Sequence, residues 1–120
     1  MPRLLGVLGG MGPLAGIDFL AKLIAATPAD RDQDHVPVIL YSVPQISCRV
    51  EAVLGSGPSP LPAMAAGLDV LAGAGAEAVA IACNTAHHWY DDLARTSRVP
   101  ILHIADAACT GIAEIGRAHV

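Results

Sequence analysis

The chain has 120 residues, enough for one domain with a packed core and too few for two ordinary ones. Hydrophobic residues make up 53% and charged residues 15%, which excludes intrinsic disorder. A net charge of -4 offers no basic patch for phosphates and argues against a nucleic-acid partner.

The chain begins without a signal-peptide pattern, because its first apolar stretch is cut by Gly6, Gly9, Gly10, Gly12 and Pro13. Leu4–Leu8 reads as a short buried strand, and Gly9–Pro13 as a turn. Pro13 suits the first position of a helix, where a missing N–H costs nothing. Leu14, Ile17, Leu20 or Ala21, and Ile24 recur at helical spacing, so this helix is expected to run to about Ala26 and to end at Thr27-Pro28. Ala29–His35 carries Asp30, Asp32 and Asp34 and reads as an exposed loop, and Pro37–Tyr41 as the second strand. Val43–Pro62 is rich in proline and reads as an irregular excursion with one helical turn at Arg49–Leu54, the kind of long connection that serves as a lid or binding loop. Leu61–Ala74 is an alanine-rich helix with Leu68 and Leu71 on one side, closed by Gly73 and Gly75. Ala78–Ala82 is the third strand, Ala86–Arg95 a helix, Pro100–Ile104 the fourth strand, and Asp106–Ile115 a last helix. No apolar run is long enough to span a bilayer, so no membrane partner is expected. Three cysteines without a secretion signal predict free thiols and a cytoplasmic location.

Short apolar strands alternating with helices predict an α/β fold: a parallel four-stranded sheet with helices on both faces. Ligand sites in such sheets lie beyond the carboxyl ends of the strands. That rule selects Gly9–Gly12, Ser42–Arg49, Cys83–His87 and His103–Asp106.

Cys83-Asn84-Thr85 is the most informative of these segments. A cysteine ending a buried strand points its sulfur at the crevice, and the free N–H groups of the next helix depress a thiol's pKa and bind carboxylates. Asn84 adds an amide and Thr85 a hydroxyl for the same anion. A plainer reading is a small buried cysteine followed by helix-capping residues.

Five stretches in series extend the picture. Gly9-Gly10-Met11-Gly12-Pro13 comes first, followed by Thr27-Pro28-Ala29 with Asp34-His35-Val36-Pro37, then Ser42-Val43-Pro44-Gln45-Ile46 with Arg49. Cys83-Asn84-Thr85-Ala86-His87 and Pro100-Ile101-Leu102-His103-Ile104 complete them. In this order they resemble the aspartate/glutamate racemase family, most closely its aspartate-racemase and broad-specificity amino-acid racemase branch. The resemblance implies a two-lobed fold and a racemase that uses neither pyridoxal phosphate nor metal. Two cysteines then face each other across the substrate Cα; one thiolate removes the proton and the other thiol returns one to the opposite face. It implies that Cys83 is one acid/base, that Asn84, Thr85 and Arg49 hold carboxylate groups, and that Met11 and Gln45 line the pocket. The substrate would be an acidic amino acid or one of a broad set.

Two departures stand out. Cys48 occupies the place before Arg49 where the family usually has an acid, which bears on how the arginine is oriented and which substrate side chain is preferred; as a loop thiol, Cys48 itself reads as a neutral substitution. Family members are also much longer, with a second lobe that carries the opposing cysteine. Cys109-Thr110 lies inside the expected last helix and matches an ordinary apolar position there. Residues 1–114 are therefore expected to be one lobe of the two, truncated and inactive alone. Ile115–Val120 back-translates as ATC GGA AGA GCA CAC GTC, a sequencing-adapter-like stretch, and residues 115–120 are expected to be an artefact tail.

Rival readings are available. Gly10–Ala15 fits a G-x-G-x-x-A dinucleotide turn, but Tyr41–Pro44 lacks the acid that would bind a ribose. Cys83 and His87, with His88 and His103, have partial zinc-ligand spacing but lack a second Cys/His pair. His87 otherwise reads as a hydrogen-bond partner near the substrate or a local cap. His88–Asp92 reads as an amphipathic surface helix in which Trp89 packs. A non-catalytic half-domain that binds a partner, or dimerises through its unpaired face, is the alternative from a different class.

Overall fold

In the computed structural model, which describes residues 3–103, all four strands run parallel: β1 (Leu5–Gly9), β2 (Val38–Ser42), β3 (Ala78–Ile81) and β4 (Ile101–Leu102). Their order is β2-β1-β3-β4. The chain steps one way from β1 to β2 and the other way from β2 through β3 to β4. Right-handed crossovers therefore place the first connecting helix on one face and the later ones on the other. α1 (Pro13–Ala26) packs on β1 and β2. The opposite face carries α3 (Leu61–Gly73) and α4 (Tyr90–Thr96), with the short α2 (Arg49–Val53) beside them. The expected α/β lobe with helices on both faces is present.

Alternation along the strands divides the core. Leu8, Val79, Ile81 and Ile101 enter a larger cluster with Met64, Leu68, Leu71, Trp89 and Leu93. Leu5, Val7, Ala80 and Ala82 enter a smaller one with Leu23 of α1. β1 is buried along its whole length, so it reads in sequence as an unbroken apolar run. α3 approaches β1 closely at Gly67, where an added Cβ would lie 2.7 Å from Leu8 Cδ1.

The register brings the strand ends to one edge. Gly9 pairs with Ser42, and Leu8 with Ile81. The ladder continues one step, with Val43 N–H donating to Gly9 O and Ala82 N–H to Leu8 O, each at 2.9 Å. At this edge Gly10 has φ +98, and an added Cβ would sit 2.4 Å from Val43 N and 2.5 Å from Val43 C. Only glycine satisfies both conditions.

Three details differ from the sequence expectation. The stripe Leu14, Ile17 and Ile24 of α1 faces outward, with exposures of 77%, 58% and 58%. Gly16 and Leu23 turn inward instead, with Phe19 and Leu20. Both stripes have helical period and differ only in phase; Gly16 selects the inner one, since a Cβ there would come within 3.2 Å of Leu40 Cδ1. The expected helix at Ala86–Arg95 opens as a 3-10 segment, Thr85–Trp89, before continuing as α4. Here His87 N–H donates to Asn84 O, while the His87 ring bonds the Cys83 carbonyl that an α-turn would use. β4 is described for two residues only. Ile104, the expected helix Asp106–Ile115 with Cys109, and the expected tail 115–120 lie outside the described residues. Among the described residues, no helix is long and apolar enough to cross a membrane.

Gly10→Ala is expected to destabilise the fold by at least about 1–3 kcal/mol, from backbone strain alone. Gly73→Ala, at the end of α3 with its nearest neighbour 3.9 Å away, should be neutral or stabilising by up to about 1 kcal/mol. Thermal and urea unfolding of the two variants checks the contrast.

Candidate functional site

The strand exits gather the residues singled out above. The β1 exit carries Met11, which is 3% exposed and packs with Ile46 in the larger cluster. Met11 is thus part of the floor under the β2 exit. Gln45 is exposed on the β2 exit loop. Cys48 is exposed and precedes α2 without capping it through its side chain.

Arg49 opens α2 and is half-buried. Its Nη1 donates to the carbonyls of Ile46 and Ser47, each at 3.2 Å, and its Nε is buried without a partner. The backbone of its own loop therefore orients the guanidinium. Every other described cation has a carboxylate: Arg3 with Glu77, Lys22 with Asp18, Arg31 with Asp34, Arg95 with Asp92, and Arg98 with Asp69. Among the described residues, only Arg49 has no acid at ion-pair distance.

Cys83 leaves β3 as a free, half-buried thiol that packs against the edge of the larger cluster. Asn84 and Thr85 follow, both exposed. Asn84 stands at the cap position of the 3-10 segment but makes no side-chain capping bond, so the plainer capping reading of this pair finds no hydrogen bond. The first N–H groups of the segment have no partner within it. α2 packs against Thr85–Trp89, which brings the helix headed by Arg49 beside the segment that follows Cys83.

Sequence reasoning missed the three-ring cluster that closes this end. His87 Nδ1 lies 2.8 Å from Cys83 O. Its ring meets His103, just past β4, edge-on at 5.1 Å, and Tyr90 meets His103 at 4.8 Å. Tyr90 OH donates to Ile101 O at 3.0 Å. The available signal was the seven-residue offset from Cys83 to Tyr90, which the amphipathic pattern at 88–92 hid. Burial pushes the His87 imidazole below its ordinary value, and His103 adds to the effect; the carbonyls of Cys83 and Asn84 pull the other way.

Among the described residues, no three His, Cys, Asp or Glu side chains gather to hold a metal ion. The Gly10 turn of the dinucleotide-like motif packs on the backbone of Val43 and Pro44. A cavity of about 430 Å³ lined by Leu20, Leu23, Thr27, His35 and Val38 lies at the opposite edge, where β2 begins.

Comparison with known proteins agrees with this fold. The family model for Asp/Glu/hydantoin racemases matches residues 8–120. The chain is 29% identical to the broad-specificity amino-acid racemase RacX of Bacillus subtilis (strain 168), over 86% of this chain and 46% of that protein. The fold matches an aspartate racemase from Picrophilus torridus with a TM-score of 0.80 and 36% identity, covering 90% of this chain and 46% of that one. It matches an aspartate racemase homologue from Pyrococcus horikoshii OT3 with a TM-score of 0.73 and 26% identity, covering 95% of this chain and 50% of that one. The chain thus spans about half the length of these relatives.

The lowered His87 value has a definite sign for stability. The fold favours the neutral ring, so this contribution is complete above the ordinary value of 6.5 and is lost as pH falls through the lower folded value. Urea unfolding should show stability declining as pH falls below the ordinary value of 6.5, and His87→Asn should flatten that decline.

Proposed function

The chain belongs to the Asp/Glu/hydantoin racemase family, and from that premise we propose that residues 1–114 form one lobe of an amino-acid racemase in which Cys83 moves the proton at the substrate Cα. The observation that carries the proposal is Arg49: half-buried, held by carbonyls, without an acid among the described residues, and beside the segment that follows Cys83. A buried cation without an anion is costly, and a substrate carboxylate removes that cost. Asn84 and Thr85, exposed and not engaged in capping, add donors for a carboxylate. Gln45 lies on the loop that leads to Arg49, and Met11 supports that loop from below.

The reaction is a proton exchange in two steps. The Cys83 thiolate takes the Cα proton and becomes a thiol, leaving a carbanion whose charge spreads into the substrate carboxylate. A second thiol on the opposite face, which the family resemblance puts in the second lobe, donates its proton to Cα and becomes a thiolate. Thiols suit the task because their ordinary pKa, about 8.5, is close enough to neutrality for either to act as acid or base. Donors at the carboxylate stabilise the charge as it develops. Neither pyridoxal phosphate nor metal takes part in this scheme. Free thiols of this kind are maintained in a reducing compartment, which supports a cytoplasmic location.

The outward stripe Leu14, Ile17 and Ile24 supports a second reading, in which the lobe acts by associating with a partner or another copy through that face.

Loss of the α-hydrogen signal in D2O separates the readings, measured by NMR with aspartate, glutamate and a panel of other amino acids. The chain is assayed alone and co-expressed with the C-terminal half of a full-length relative. Exchange without added cofactor is expected on reconstitution. Cys83→Ser should lower it at least about 10²-fold. Arg49→Gln should lower kcat/KM by about 10- to 10²-fold. Exchange that survives Cys83→Ser, or that needs added pyridoxal phosphate, overturns the proposal. Association without exchange in any combination favours the second reading.

A further inference from the structure

A helix that followed β3 directly would use the Cys83 carbonyl as the acceptor for the N–H of residue 87. That bond is not made. The His87 N–H turns to Asn84 O at 3.1 Å, and the His87 ring takes the Cys83 carbonyl at 2.8 Å through Nδ1. A carbonyl only accepts, so Nδ1 carries the proton in this bond. The exchange of partners tightens Thr85–Trp89 into a 3-10 segment. It also joins the peptide of Cys83 to a ring instead of to the next turn. That ring is held from the neighbouring strand: His103 contacts it edge-on at 5.1 Å, Tyr90 contacts His103 at 4.8 Å, and Tyr90 OH is anchored on Ile101 O at 3.0 Å.

We propose that His87 is a positioning residue for Cys83: its Nδ1–H fixes the Cys83 carbonyl, and the His103–Tyr90 pair fixes His87, so that the thiol is presented from an exit tied to both β3 and β4. The inference rests on the racemase reading for its catalytic consequence, though not for its geometry. Proton removal from carbon depends steeply on the approach of the base, and a misplacement of about 1 Å costs about 10²-fold in rate. A side chain one turn beyond the cysteine therefore governs the rate without touching the substrate. Burial, with His103, keeps the ring neutral near neutral pH, which limits it to a single fixed tautomer while the Cys83 carbonyl holds the proton on Nδ1.

The test compares three replacements in the reconstituted enzyme. His87→Asn carries an N–H at the same branch point as Nδ1. His87→Phe keeps a ring without the donor, and His87→Gln moves the amide out by one carbon, which serves where phenylalanine fails to fold. Phenylalanine and glutamine are expected to lower kcat about 10²-fold with KM little changed, and asparagine to restore most of the loss. A second readout needs no turnover: alkylation of Cys83 by iodoacetamide, resolved by mass spectrometry and divided by that of the exposed Cys48. The ratio should rise several-fold in the phenylalanine and glutamine variants and return towards wild type with asparagine. Equal losses in all three variants, or an unchanged Cys83-to-Cys48 ratio, overturn the positioning role. If the wild-type enzyme shows no α-hydrogen exchange, the racemase reading falls, while the alkylation ratio still decides whether His87 positions Cys83.

Discussion

The exits of β1 and β2 touch backbone to backbone. Gly10, at φ +98, leaves room for no side chain against Val43 and Pro44, and Val43 N–H closes the contact on Gly9 O. This contact extends the parallel register past the ends of the strands and holds the β2 exit loop over Met11. From there the chain reaches Ile46, whose carbonyl receives Arg49, and then α2, which leans on the segment after Cys83. A larger residue at position 10 would separate the two exits and with them the arginine and the cysteine.

Electrostatics then distinguishes one point on that edge. In a chain with few charges, the other described lysine and arginines lie in surface pairs with acids, three of them with acids three or four residues away, and such pairs contribute little energy. Arg49 is different in each respect. It is partly buried, it is tied to carbonyls instead of carboxylates, and its Nε has no acceptor. Neutral carbonyls orient the guanidinium without cancelling its charge.

The third strand exit shows how a side chain redirects the backbone. The His87 ring competes successfully for the Cys83 carbonyl, the first turn tightens, and Trp89 is turned into the larger cluster while Tyr90 reaches the β4 carbonyl. A local exchange of hydrogen bonds thus couples the end of β3 to the end of β4 through aromatic contacts, adding to a ladder of two β4 residues among those described.

Much of this was readable in one dimension. Apolar runs of four or five residues, Pro13 at a helix start and glycines at helix ends are local signals with local causes, and they placed the strands and α1 to within a residue or two. The motif series at Gly9–Pro13, Ser42–Arg49 and Cys83–His87 marked one edge of the sheet for the same reason, since each lies where a strand stops. What the sequence left open depends on which groups meet. Leu14, Ile17 and Ile24 have the same period as the buried stripe of α1, and only contact with Leu40 through Gly16 decides the phase. Arg49 looks like any other arginine until its neighbours show that no acid among the described residues reaches it. The ring cluster of His87, Tyr90 and His103 joins residues from two strand exits, so its existence follows from register and crossover, which no local pattern encodes.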